Sequence, residues 1–151
     1  MKDFNSVDEI LDFAIENEQN AVDFYTELAS TARTEAIEKV FIEFAKDEMI
    51  HKSKIMEVKE KGIYTRPSGT VIDLKISDYM VNIKPTPDMT YQDALILAMH
   101  REKSAYKLYS ALADKAPNTD LRNLFLRLAQ EESKHKLRFE VEYDEYVMRE
   151  N

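Results

Sequence analysis

The placement of its chain breakers constrains this 151-residue sequence more than any other feature. Both glycines (Gly62, Gly69) and three of the four prolines (Pro67, Pro85, Pro87) lie between residues 62 and 87. The stretches 1–61 and 88–151 hold one breaker between them, Pro117. A soluble domain of this length ordinarily carries about ten Gly and seven or eight Pro. Sandwiches, barrels and α/β folds need a turn signal roughly every ten residues, so the sequence calls for a few long helices instead.

Apolar spacing divides those stretches into four helices. Ser6 followed by Glu9 is a capping box, and Leu11, Ala14, Ala21, Tyr25, Leu28 and Ala32 recur at steps of three and four. After a short link near Thr31–Thr34 a second stripe runs through Ile37, Phe41, Phe44, Ile55 and Val58, with Gly62 as its C-terminal stop. Thr90 and Asp93 open a third helix along Leu95, Ala98, Ala105, Tyr109 and Leu112. Pro117-Asn118 breaks it, and Leu121, Phe125, Leu128 and Phe139 mark a fourth that continues towards Tyr146. The expected spans are about 7–31, 35–61, 91–115 and 119–148, within a single domain, 1–151. Short links make each pair an antiparallel hairpin. The segment 62–89 is long enough, at about 3.3 Å per residue, to run the length of a bundle as a crossover, with a turn of helix expected near Ser77–Val81. The fold class is therefore all-α, a four-helix bundle of up-down-down-up, ferritin-like topology.

The two hairpins are copies of each other. A shift of 84 residues aligns 13–58 with 97–142 without a gap and matches twelve positions, among them Glu18/Glu102, Tyr25/Tyr109, Glu48/Glu132 and His51/His135. Two unrelated amphipathic hairpins would match in Ala and Leu, not in Glu, Tyr and His on the buried stripe. Duplication implies a pseudo-two-fold axis, across which whatever one half places in the core is repeated by the other.

What each half places there is polar. Glu18 interrupts the first stripe between Ala14 and Ala21, and Glu102 the third between Ala98 and Ala105. The second and fourth stripes contain Glu48-Met49-Ile50-His51 and Glu132-Ser133-Lys134-His135. Three residues turn a helix through about 300°, so the Glu and His of each pair share a face. Four carboxylates and two imidazoles thus converge at mid-bundle. Burying four carboxylates without compensation costs many kcal/mol or forces them to take up protons. Two divalent cations cancel the four charges. Oxygen and imidazole donors without sulfur suit Fe, Mn, Co or Zn. One Glu from each of two helices with Glu-x-x-His from each of the others is the known ligand pattern of ferritin-like di-iron carboxylate proteins. Glu48 and Glu132 are expected to bridge, His51 and His135 to end different metals, and Glu18 and Glu102 to be terminal carboxylates.

Neighbouring residues extend the pattern. Tyr25 and Tyr109 stand seven residues after Glu18 and Glu102, on the same faces, placed to donate to carboxylates of the opposite half. Asp47 and Glu131 each precede a bridging Glu and are placed to accept the free imidazole N–H of the other half's His. His100 points away from Glu102, towards the surface. Met49 is read as a packing or interface residue.

Composition narrows the setting. The chain is 44% hydrophobic and 33% charged, enough for one sizeable core. It has no cysteine, which removes disulfides, thiolate metal sites and Cys nucleophiles. The polar N-terminus and the absence of any apolar run near 18 residues point to a cytoplasmic protein without membrane association. A net charge of -8 disfavours nucleic acid as a partner.

With Glu18, Glu48-x-x-His51, Glu102 and Glu132-x-x-His135 in place, together with Tyr25 and the segment Ala105-Tyr106-Lys107-Leu108-Tyr109, the sequence resembles the rubrerythrin-like branch of the ferritin-like superfamily over 7–148. The resemblance implies two Fe ions, with Mn or Zn as substitutes, and reduction of peroxide or dioxygen by diferrous iron. Full rubrerythrins append a Cys-rich rubredoxin domain; this cysteine-free chain would draw electrons from a separate donor protein. They also carry an additional Glu, associated with redox-linked iron movement, where this sequence has Ala105. The symmetric ligand set also resembles bacterioferritin, in which Met49 would match the haem-ligating position, but the internal repeat favours the rubrerythrin side. A homodimer is expected. The alternatives are a ferritin-type subunit that oxidises Fe(II) for storage, and a non-enzymatic metal-binding module.

Overall fold

A computed structural model of the chain describes residues 2–4, 7–61, 72–74 and 89–150. Its four helices are α1 (Val7–Ser30), α2 (Glu35–Lys61), α3 (Tyr91–Lys115) and α4 (Thr119–Glu150). Three of their N-termini are capped by a side-chain oxygen that accepts the backbone N–H three residues on. Thr34 Oγ1 accepts from Ile37 at 3.2 Å, Thr90 Oγ1 from Asp93 at 3.0 Å and Asn118 Oδ1 from Leu121 at 2.9 Å. The expected cap Ser6, the stop Gly62 and the helical turn at Ser77–Val81 lie outside the described residues.

One feature had no counterpart in the helical periodicity. Strand β1 (Lys2–Phe4) pairs antiparallel with β2 (Ile72–Leu74), in the register Lys2↔Leu74, Asp3↔Asp73 and Phe4↔Ile72. Three residues per strand are too few for an alternating pattern to be read. The pairing ties the crossover to the chain start, at the end of the bundle where α1 begins and α2 finishes.

The far end shows where the crossover arrives. Leu28 near the end of α1, Ile37 near the start of α2, and Met89, Thr90 and Tyr91 at the start of α3 line one apolar pocket with Tyr146 of α4. Helix α3 therefore starts where α1 stops, which is the up-down-down-up order. Side-chain pairs agree with it. Tyr25 meets Glu102 and Tyr109 meets Glu18, so α1 and α3 run antiparallel. Asp47 meets His135 and Glu43 meets Arg138, so α2 and α4 do too. Among the described residues no helix is long and apolar enough to cross a membrane.

The hydrophobic core comes in two parts. One cluster, near the start of α1, includes Leu11, Ala14, Ile55, Tyr109, Leu112, Leu121, Phe125 and Leu128. The other, towards the opposite end, includes Tyr25, Leu28, Phe41, Phe44, Leu95, Ala98 and Phe139. Each large side chain buried in them contributes about 1.5–3 kcal/mol through removal of apolar surface from water. Between the two clusters the four glutamates interrupt the apolar stripes.

Candidate metal centre

The four helices contribute to that interruption in matched pairs. Glu18 of α1, Glu48 and His51 of α2, Glu102 of α3 and Glu132 of α4 are each no more than 2% exposed, and the His135 side chain of α4 is 11% exposed. Helical pitch carries His51 and His135 to the face of the Glu one turn before each. All six residues predicted as ligands come together.

They form two overlapping sets. Glu18, Glu48, His51 and Glu132 present donor atoms within 4.8 Å of one another, and so do Glu48, Glu102, Glu132 and His135. Glu48 and Glu132 belong to both sets, as a bridging role requires. His51 Nδ1 lies 2.8 Å from Glu132 Oε1, 3.7 Å from Glu48 Oε1 and 3.8 Å from Glu18 Oε2. His135 Nδ1 lies 3.0 Å from Glu48 Oε1 and 3.6 Å from Glu102 Oε1. The two imidazoles are nearly parallel, with centroids 5.8 Å apart.

Surrounding side chains orient these groups from across the pseudo-two-fold axis. Tyr25 donates to Glu102 Oε1 and Tyr109 donates to Glu18 Oε1, each from the opposite half. Glu131 lies against His51 Nε2, and Asp47 lies 3.2 Å from His135 Nε2. An acidic partner at Nε2 assigns the ring proton there and leaves the Nδ1 lone pair facing inward. Tyr25, Tyr109, Asp47 and Glu131 thus occupy the supporting positions that their sequence offsets indicated. His100 is exposed, and Met49 lies half exposed in a separate apolar groove with Val22 and Ile42.

One atom from each of the six central residues is left over. Glu18 Oε2, Glu48 Oε1, Glu102 Oε2, Glu132 Oε1, His51 Nδ1 and His135 Nδ1 are buried and make no hydrogen bond among the described residues. A nitrogen lone pair 2.8 Å from a carboxylate oxygen is repelled unless a proton or a metal ion lies between them. Six orphaned acceptors of hard oxygen and imidazole type therefore fit two divalent metal ions, whose charge cancels that of the four carboxylates.

The protonation pattern of the protein alone reflects the same conflict. Burial, reinforced by neighbouring carboxylates, pushes Glu18 and Glu132 well above the usual carboxylate range. Burial and the Glu102 charge push Glu48 up to about 8. Burial also pushes Glu102 up, but the neighbouring Glu132 carboxyl, the His135 imidazole and the Tyr25 phenol outweigh it and hold this group below its ordinary value. Burial and the adjacent carboxylates raise both Tyr25 and Tyr109, so their phenols remain donors.

Arg101 escaped the sequence reading. Its Nε is buried without a hydrogen-bond partner among the described residues, its guanidinium stands 5.1 Å over the Phe24 ring, and its charge lowers Glu48 in part. The signal was a mismatch in the repeat. Asn17 precedes Glu18 in the first half, and Arg101 precedes Glu102 in the second.

Comparisons with known proteins bear on this geometry. The family model described as Rubrerythrin matches residues 9–143. A Thermotoga maritima crystal structure, of a candidate ferritin-like diiron-carboxylate protein, is similar over 97% of this chain and 99% of its own, with a TM-score of 0.76 and 24% identity. A hypothetical protein from Pyrococcus furiosus is similar over 91% of this chain and 87% of its own, with a TM-score of 0.67 and 24% identity. At that identity both show the shared fold. No curated protein matches the chain significantly.

Two outcomes follow from the shared carboxylates and their charge. Glu48→Ala or Glu132→Ala should lower metal content from about two ions per chain to under one, whereas Glu18→Ala or Glu102→Ala should retain about one. Elemental analysis of the four variants checks this, and equal retention would contradict the bridging assignment. Raised carboxyl groups stabilise the fold fully below their unfolded value and lose that contribution as pH rises through the folded one. Three of the four are raised, with Glu48 at about 8, and the lowered Glu102 opposes them only in part. The melting temperature of metal-free protein should therefore fall between about pH 5 and 8, and that of metal-loaded protein should fall less.

Proposed function

The chain belongs to the rubrerythrin family, and from that premise we propose that it is a non-haem di-iron oxidoreductase that reduces peroxide or dioxygen. The observation carrying this reading is the pair of four-residue donor sets that share Glu48 and Glu132. Glu18 and His51 would complete one metal position, and Glu102 and His135 the other. Two ferrous ions held there would supply the two electrons that, with two protons, convert one hydrogen peroxide into two waters.

The chain's own residues set the conditions for that chemistry. Apolar clusters above and below the glutamates limit water to the faces of the bundle. Tyr25 and Tyr109 hold Glu102 and Glu18 in place through one oxygen each and leave the second oxygen of each free. Asp47 and Glu131, on the opposite side of the imidazoles, keep the ring proton at Nε2 and raise the basicity of Nδ1. With no cysteine, the chain carries no thiolate-bound iron to relay electrons, so a separate donor protein would restore the ferrous state.

Anaerobic loading with two equivalents of Fe(II), followed by hydrogen peroxide, tests the assignment. The loaded protein should be oxidised faster than the same iron free in buffer, and a rate no faster would contradict the proposal. Faster oxidation by dioxygen with mineral deposition and cage-sized elution would assign the protein to iron storage. Zinc at two per chain in natively purified protein would remove the redox reading altogether.

A further inference from the structure

The apolar pocket at the end of the bundle where α1 stops and α3 starts encloses about 260 Å³. Its most buried residues are Leu28, Phe41 and Ala94, each no more than 5% exposed, and Ile37, Met89 and Tyr146 help to wall it. None of the lining residues is one of the six central donors or of the four side chains that support them. The opposite end of the bundle repeats Leu28, Ile37 and Phe41 as Leu112, Leu121 and Phe125. There Ile10 stands where this end has Ala94, and it is buried in one cluster with all three. Pro117 likewise stands where this end has Arg33. The open volume and the cation beside it are both departures from the repeat, so neither is a by-product of building the metal layer.

We propose that this cavity binds a small aliphatic carboxylate, with the hydrocarbon chain inside and the carboxylate at Arg33. The site is separate from the metal centre and does not depend on which ions that centre holds. Volume sets the size of the ligand. An apolar cavity of about 150 Å³ holds a benzene ring, so this one takes a chain of about ten heavy atoms and is too small for a long-chain lipid. The apolar wall sets the body, because methylene groups gain by leaving water for such a surface.

Charge sets the head group. On a chain of net charge -8 the lining contains no carboxylate, and its one charged residue is Arg33. Arg33 is exposed and forms no ion pair among the described residues, which leaves its guanidinium fork for a carboxylate. Thr34 and Thr90, also in the lining, add two donors. Each hydroxyl accepts a backbone N–H at the start of its own helix, from Ile37 and from Asp93, and neither gives its proton to another described residue. An amine would meet a like charge here, and an alcohol would gain no ion pair.

Calorimetric titration of natively purified protein with octanoate, 1-octanol, octylammonium and acetate tests the proposal. Octanoate should bind at one per chain with a Kd of about 0.1 mM or below, and the alcohol and the amine about five-fold more weakly or worse. Ala94→Ile, which restores the residue of the opposite end, should raise the octanoate Kd about ten-fold or more and keep the metal content. Arg33→Gln should raise it about five-fold and leave the 1-octanol Kd within about two-fold. If Ala94→Ile does not fold, Ala94→Val and Arg33→Gln decide. Variants that all leave the octanoate Kd within about two-fold, or octylammonium binding as tightly as octanoate, would overturn the proposal. Acetate competing as well as octanoate would place binding at the metal ions and overturn it too. So would a dimer that Ala94→Ile disrupts and octanoate does not, since the pocket would then belong to a second copy of the chain.

Discussion

Four carboxylates buried within one small volume cannot all keep their charge in a low-dielectric interior, and the structure is organised around that constraint. Desolvating even one ionised carboxylate costs several kcal/mol after relaxation. The protein alone answers with proton uptake: Glu18, Glu48 and Glu132 are pushed towards the neutral form, and Glu102 carries the charge they donate to. That arrangement still leaves one atom of each of the six central residues without a hydrogen-bond partner among the described residues. Two divalent cations satisfy both the charge and the orphaned atoms. Apolar packing above and below supplies the stability that permits so polar a layer at mid-bundle.

Duplication explains how the layer is built from little information. Each hairpin contributes one Glu on its first helix and one Glu-x-x-His on its second. The supporting contacts then cross between halves: Tyr25 to Glu102, Tyr109 to Glu18, Glu131 to His51 and Asp47 to His135. Neither hairpin completes a site by itself, so assembly of the two halves and assembly of the donor sets are one event. Departures from the repeat then carry the asymmetry, and the Asn17/Arg101 difference lies beside the ligands.

Much of this was legible in the sequence because a helix converts spacing into direction. The stripe from Leu11 to Leu28 and its copy from Leu95 to Leu112 defined the buried faces, and Glu18 and Glu102 stood out as charges on them. The offsets of seven for the tyrosines and one for Asp47 and Glu131 placed the supporting residues by the same geometry. Arg101 was missed because a residue beside a ligand on a helix points roughly 100° away, and periodicity alone reads it as surface. Its long side chain reaches back to bury Nε, which only packing reveals. The pairing of Lys2–Phe4 with Ile72–Leu74 was also out of reach, since it joins two three-residue segments 70 positions apart and depends on where the crossover runs.

The central claim is that two metal ions neutralise one buried layer. An anaerobic equilibrium titration of metal-free protein with Fe(II), followed by dialysis and elemental analysis, measures it directly. Saturation at about two ions per chain, with proton release as the raised carboxyl groups ionise, is the predicted result. Saturation at one ion, or binding without proton release, would contradict the account.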